Sequence, residues 1–185
     1  MGGIIYAGVG SRKTPPVILS YMRRAATRLA QRGVVLRSGA AYGADTAFES
    51  GCKAARGQVE IWLPWPSKNG DHKDAFYPTT EHFEIAQSIH PAWPGLDDAS
   101  RALHARNVGQ VLGADLKSEV SFVLCWTQDG CETETARTVA TGGTATAIVL
   151  ADIMRIPVFN LFNEDAKDRF VAHVQRTVVA TKEPT

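Results

Sequence analysis

Three times in this chain a short apolar run breaks into a glycine-rich loop and resumes as a helical pattern, and this repeated order limits the fold more than any other feature. The first instance joins residues 4–7 to the loop Gly8-Val9-Gly10-Ser11-Arg12-Lys13 and then to Thr14-Pro15-Pro16. There Thr14 suits a helix cap and Pro15 a first helical turn. Ile18, Met22, Ala25, Ala26, Leu29 and Ala30 recur at helical spacing until Gly33 stops the helix. The second joins residues 34–37 to Ser38-Gly39-Ala40-Ala41-Tyr42-Gly43-Ala44-Asp45 and a helix over 45–55. The third is an apolar run ending at Trp126, a polar stretch with Glu132 and Glu134, and then Thr141-Gly142-Gly143-Thr144-Ala145-Thr146 opening an apolar helix over 147–154. Strands over 58–63 and 156–161, with helices over 97–113 and 163–177, complete the alternation.

Strands that alternate with helices at this spacing pair in parallel, because each right-handed crossover lays its helix on a face of the sheet. The expected fold is α/β: a single Rossmann-like domain over 1–180, with a parallel sheet of about five or more strands flanked by helices on both faces. Residues 64–100 break the pattern with prolines, aromatic residues and histidines, and 181–185 read as a loose tail. An irregular excursion of that length serves a function or covers a site. Trp65, Tyr77 and Trp93 within it suit either packing or stacking on a base.

The three glycine loops gather at the carboxyl edge of such a sheet, where open α/β folds bind ligands. Glycines let the backbone approach an anion, and helix starts offer unpaired amides and the positive end of a dipole. The expected phosphate cradle is Gly8, Gly10, Ser11 and Arg12 from the first loop, Ser38, Gly39 and Gly43 from the second, and Gly142, Gly143, Thr144 and Thr146 from the third. Arg106 joins them if the helix over 97–113 borders the site. Asp45 and Glu49 share a helix face, as a ribose-hydroxyl acceptor and its neighbour or, if the protein is an enzyme, as catalytic carboxylates.

Composition narrows the ligand. Proteins that live on long nucleic acid carry a basic excess, because each neutralised phosphate contributes to affinity, and a formal net charge of +1 shows none. The balance leans toward a nucleotide or nucleotide-derived small molecule, or a short nucleic-acid contact. Cys52, Cys125 and Cys131 are odd in number and lack metal spacing, so they are expected to be reduced. Asp71-His72-Lys73-Asp74 carries a cation among its acids and lacks a second ligand pair, so no metal and no cofactor is expected. No apolar run reaches the roughly 20 residues that span a bilayer, and the strand-like start has no charged leader, which together predict a cytoplasmic protein.

The loops also resemble, in order, the motifs of the DNA-processing protein A (DprA/Smf) Rossmann-like domain. The segments that carry the likeness are Tyr6-Ala7-Gly8-Val9-Gly10-Ser11-Arg12, Leu36-Arg37-Ser38-Gly39-Ala40-Ala41-Tyr42-Gly43-Ala44-Asp45, Arg106-Asn107, and Thr141-Gly142-Gly143-Thr144-Ala145-Thr146-Ala147. That domain belongs to the SLOG superfamily, with the LOG phosphoribohydrolases, and the likeness runs from about residue 4 to residue 161 apart from 64–100. It implies phosphate binding that includes Asn107, single-stranded DNA contacts near Arg12, Arg37 and Arg106, and pairing into a homodimer through helices. In LOG enzymes a glutamate closely follows the glycine motif and serves hydrolysis of the N-glycosidic bond; Thr146-Ala147-Ile148 stands there instead. The resemblance is therefore nearer the DprA version. The alternative is a nucleoside-monophosphate N-glycosidase or ribosyl transferase using Glu49 first, then Asp45.

Overall fold

A computed structural model describes residues 3–66 and 72–179; Asp71 of the 71–74 motif and the tail over 181–185 lie outside them. Five strands, β1 (Ile5–Gly8), β2 (Val35–Ser38), β3 (Val59–Ile61), β4 (Phe122–Cys125) and β5 (Val158–Asn160), form one sheet in the order β3-β2-β1-β4-β5. Every pairing is parallel; Tyr6 stands opposite both Leu36 and Phe122, and Cys125 opposite Asn160. Among the described residues six α-helices accompany them: α1 (Pro16–Gln31), α2 (Ala44–Ala54), α3 (Thr80–Ile89), α4 (Asp98–Leu112), α5 (Ala145–Ile153) and α6 (Ala166–Val174). This is the α/β, Rossmann-like architecture that the alternation predicts.

The period-two alternation of a strand sends neighbouring side chains to opposite faces, and both faces are covered. Tyr6, Leu36, Phe122, Leu124 and Phe159 pack with Met22 and Leu29 of α1, Phe48 of α2 and Phe170 of α6. Ala7, Val123, Cys125 and Val158 face the other way, onto Ala105 and Val108 of α4 and Ile148 and Ala151 of α5. Phe83 and Ile85 of α3 pack against that second core. All three cysteines are buried and free, and among the described residues no helix is long and apolar enough to cross a membrane.

Element ends differ from the sequence pattern where side chains find other partners. Pro15, not Thr14, is the N-cap of α1, and the Thr14 hydroxyl instead donates to the Ser11 carbonyl at 2.7 Å, bracing the first glycine loop. A 3-10 turn over Val139–Thr144 precedes α5, so that helix begins at Ala145 rather than 147. Within the excursion, α3 is closed at its start by a reciprocal Thr79–His82 capping box, and Trp93 is buried in a 3-10 turn over Trp93–Gly95. Asp97 caps α4 by accepting the Ser100 amide at 2.7 Å, and Gly113 ends it with φ 77°.

Candidate functional site

Chain order reverses at β1, with β2 and β3 on one side and β4 and β5 on the other, so the loops leaving β1 and β4 diverge and open a crevice between them. The first loop runs on alongside β4, with the Val9 amide donating to the Leu124 carbonyl at 3.2 Å and the Ser11 amide to the Trp126 carbonyl at 3.1 Å. The second loop meets the first backbone to backbone: a Cβ on Gly43 would stand 2.9 Å from Arg12 Cα and 3.0 Å from the Ser11 carbonyl oxygen. Between these loops, α4 and the third glycine loop lies a cleft of about 400 Å³. Gly10, Ser11, Arg12 and Lys13 line it from the first loop, Ala41 and Asp45 from the second, Leu103, Arg106 and Asn107 from α4, and Gly143 and Thr144 from the third.

Arg106 and Asp45 form the floor. Both are buried, with Arg106 Nη1 3.6 Å from Asp45 Oδ2 and 2.9 Å from Gln110 Oε1. Asp45 Oδ2 also accepts the Gly39 amide at 3.2 Å and the Ala41 amide at 3.4 Å, which ties the second loop to the start of α2. Gly39 has no side chain because the guanidinium occupies that space: a Cβ there would overlap Arg106. Arg106 Nε is buried without a hydrogen-bond partner among the described residues. Burial draws the guanidinium below its ordinary pKa, and Arg12 adds repulsion against the help of Asp45. Burial pushes the Asp45 carboxyl up to about 6, against the opposing pull of Arg106 and of the two loop amides. At 3.6 Å the ion pair is too long to reverse that shift.

The third loop is held from α4, where Asn107 Nδ2 donates to the Gly143 carbonyl at 2.6 Å. Thr144, the N-cap residue of α5, lines the cleft and makes no side-chain capping bond, and the Ala145 amide at the helix start donates to the Gly142 carbonyl. Arg12 and Lys13 are exposed at the mouth, and neither has an ion-pair partner among the described residues.

Several candidate residues stand elsewhere. Gly8 lies in β1, where a Cβ would press within 2.8 Å of Leu36 and Phe48, so its role is packing. Ser38 is fully buried below the second loop, its hydroxyl without a partner among the described residues, away from the cleft lining. Glu49 does share a face with Asp45, but it accepts the Ala40 amide at 3.0 Å with one oxygen and sits 3.7 Å from Lys53 Nζ with the other, outside the lining. Thr146 turns away, its Oγ1 lying 2.6 Å from His104 Nδ1. Arg37 is a buried strut, paired with Glu60 and donating to the Ser118 carbonyl. Val9, Lys13, Ala41 and Leu103 complete the lining; Lys13 follows Arg12 in the first loop, and only the meeting of loop and helix brings Leu103 in.

The fold and cleft thus define a parallel α/β domain with glycine loops around a buried arginine at its carboxyl edge. No family model matches the sequence, and comparison with curated proteins finds no match. Among solved structures, the chain is similar to DNA processing protein A from Helicobacter pylori, a protein described for its single-stranded DNA binding mode. The TM-score is 0.52 at 17% sequence identity, over 93% of this chain and 73% of that one. At that identity the likeness is one of fold, and the chain has a DprA-like fold.

Proposed function

We propose that the main cleft binds the phosphate of a nucleotide, free or within a single strand, and that the chain is a DprA-like binding protein of the SLOG type. The observation that carries this reading is Arg106, a buried cation beside glycine backbone whose Nε donor has no partner among the described residues. An arginine held this way gains by meeting a phosphate, which accepts charge-assisted bonds from a guanidinium and from helix-start amides together. Arg12 and Lys13 at the mouth draw the anion in, and Asp45 at the floor stands where a protonated carboxyl or a ribose partner is useful. The small net charge of +1 supports a small ligand, and the DprA-like fold supports a single strand.

Titration of the purified protein with thymidine monophosphate and with a short oligo-dT, each at low and moderate salt, tests this. Arg106→Gln should weaken both at least about tenfold, the loss of one charge-assisted hydrogen bond. Unchanged affinity in that variant would remove Arg106 from the site and the reading with it. Oligo-dT binding should fade as salt rises, whereas a mononucleotide site should hold.

A second reading, hydrolysis of a nucleotide N-glycosidic bond, is favoured by one observation: Asp45 lines the cleft with its carboxyl pushed up to about 6, a range suited to acid–base work at neutral pH. In that reading Asp45 takes precedence over Glu49, whose oxygens are engaged. Failure to release free base from any of a panel of nucleotides would dispose of it.

A further inference from the structure

Across the third glycine loop from the main cleft lies a second one, of about 560 Å³. The loop divides between them: Gly143 and Thr144 wall the first, Gly142 and Ala145 the second. α4 divides too, giving Arg106 and Asn107 to the first and His104 to the second. His90, from the segment that follows α3, and Arg137 and Thr138, from the loop after β4, complete the polar lining, and no carboxylate contributes to it.

The two imidazoles touch, with ring centroids 4.4 Å apart and planes at 57°. Each has its Nδ1 engaged, by the Ala92 amide at 3.3 Å for His90 and by the Thr146 hydroxyl at 2.6 Å for His104. A ring nitrogen that accepts an amide N–H carries no proton, so neutral His90 bears its hydrogen on Nε2. The 2.6 Å contact between His104 Nδ1 and the Thr146 hydroxyl is compatible with either tautomer of His104, because either atom can donate. Burial lowers the pKa of both rings, that of His104 to about 4, and neutral His90 offers its Nε2–H to a ligand. His104 is only 9% exposed, and neither Nε2 has a partner among the described residues. Arg137 uses one Nη on the Ile89 carbonyl at 3.0 Å and keeps its other donors. A partly enclosed site with several donors and no carboxylate selects an anion.

Between the clefts the ridge is low. A Cβ on either Gly142 or Gly143 would meet no atom within 4 Å, and Gly142 adopts φ 61° and ψ −151°, a conformation that disfavours any side chain. We propose that the second cleft is a subsite for a second phosphoryl group of the same ligand, which crosses Gly142-Gly143 from the main cleft to reach His90, His104 and Arg137. This rests on the reading of the main cleft as a phosphate site. The shared chemistry is two phosphoryl groups joined through a nucleoside or an anhydride, as in successive phosphates of a single strand or in a pyrophosphate-linked nucleotide.

The test titrates wild type, Arg137→Gln and His90→Gln with three probes: thymidine monophosphate, 5′-phosphorylated dithymidylate and adenosine diphosphate ribose, with melting temperatures recorded to confirm folding. For wild type, at least one two-phosphate probe should bind about tenfold or more tightly than the monophosphate, and each variant should erase that advantage while keeping its monophosphate affinity. Erasure with dithymidylate assigns the strand as source, and erasure with the pyrophosphate-linked probe assigns the free nucleotide. Equal affinity for one and two phosphates in wild type, or an advantage untouched by both variants, overturns the subsite while leaving the main cleft intact. Loss of monophosphate affinity along with the rest overturns it as well, because the residues would then act on the main cleft. Failure of wild type to bind any of the probes overturns the reading of the main cleft, and the subsite falls with it.

Discussion

The glycines of the first two loops and those of the third read alike in sequence, yet the structure uses them in opposite ways. Gly39 and Gly43 are surrounded: one leaves room for the Arg106 guanidinium, the other for the backbone of the first loop. Gly142 and Gly143 face open space, with nothing within 4 Å of where a Cβ would project. A glycine that is filled around builds a frame, and a glycine that leaves room at a helix start leaves it for something else. On this comparison the first two loops and α4 are a rigid half of the site, and the third loop is the face offered to the ligand.

The largest expected effect falls on the rigid half. In Gly39→Ala the new methyl must displace the Arg106 guanidinium, and with it the Asp45 pair and the amides that Asp45 holds. Overpacking at a buried charged contact should cost about 3 kcal/mol, read as a lower urea midpoint with unchanged slope. A variant as stable as wild type would show that this half yields, and the division into frame and face would lose its basis.

A slightly smaller effect comes from Asp45 through pH. Its carboxyl ionises near 3.8 when the chain is unfolded and near 6 when folded, so the folded state holds the proton more tightly. The stability contributed by that proton is complete below about pH 4 and is lost as pH rises through 6, a change of about 3 kcal/mol at most by linkage. Urea midpoints at pH 4, 5, 6 and 7, taken as the difference between wild type and Asp45→Asn, isolate this group from the other carboxylates. The difference should shift across that interval in the direction of wild type losing stability. A flat difference would mean that Asp45 stays ionised throughout, with Arg106 fully engaged by it and unavailable to a phosphate.

What could be read in advance, and what could not, follows the same division. The five strands and the helices between them are local patterns of burial, so residues such as Ile18, Met22 and Leu29 declare α1 by spacing alone, and parallel pairing follows from the crossovers. The carboxyl edge as the meeting place of three loops follows too. Hidden was the direction in which each polar side chain near a glycine turns. Ser38, Glu49 and Thr146 have the chemistry of ligand groups, but Ser38 is buried below its loop, Glu49 holds the Ala40 amide, and Thr146 serves His104. Those roles depend on a side chain's orientation at the edge of the core, which hydrophobic spacing does not encode. The His90–His104–Arg137 group was equally hidden, because its members come from three separate segments that only tertiary packing joins.

The smallest stability effect is the one that sharpens the comparison most. Gly143 is not among the positive-φ glycines, and a Cβ on it would meet no atom within 4 Å, so Gly143→Ala should leave stability within about 0.5 kcal/mol of wild type. Its methyl would nevertheless project from a residue that lines the main cleft and whose carbonyl is anchored by Asn107. A phosphate seated against the amides at the start of α5 must approach that backbone closely, and a methyl group in its path should weaken nucleotide binding about tenfold, or 1.4 kcal/mol. Loss of affinity with stability preserved is the signature of a glycine kept for a ligand. Loss of stability as large as in Gly39→Ala would make the third loop part of the frame after all, and unchanged affinity would move the phosphate off α5 and leave Arg106, Arg12 and Lys13 to hold it without that helix.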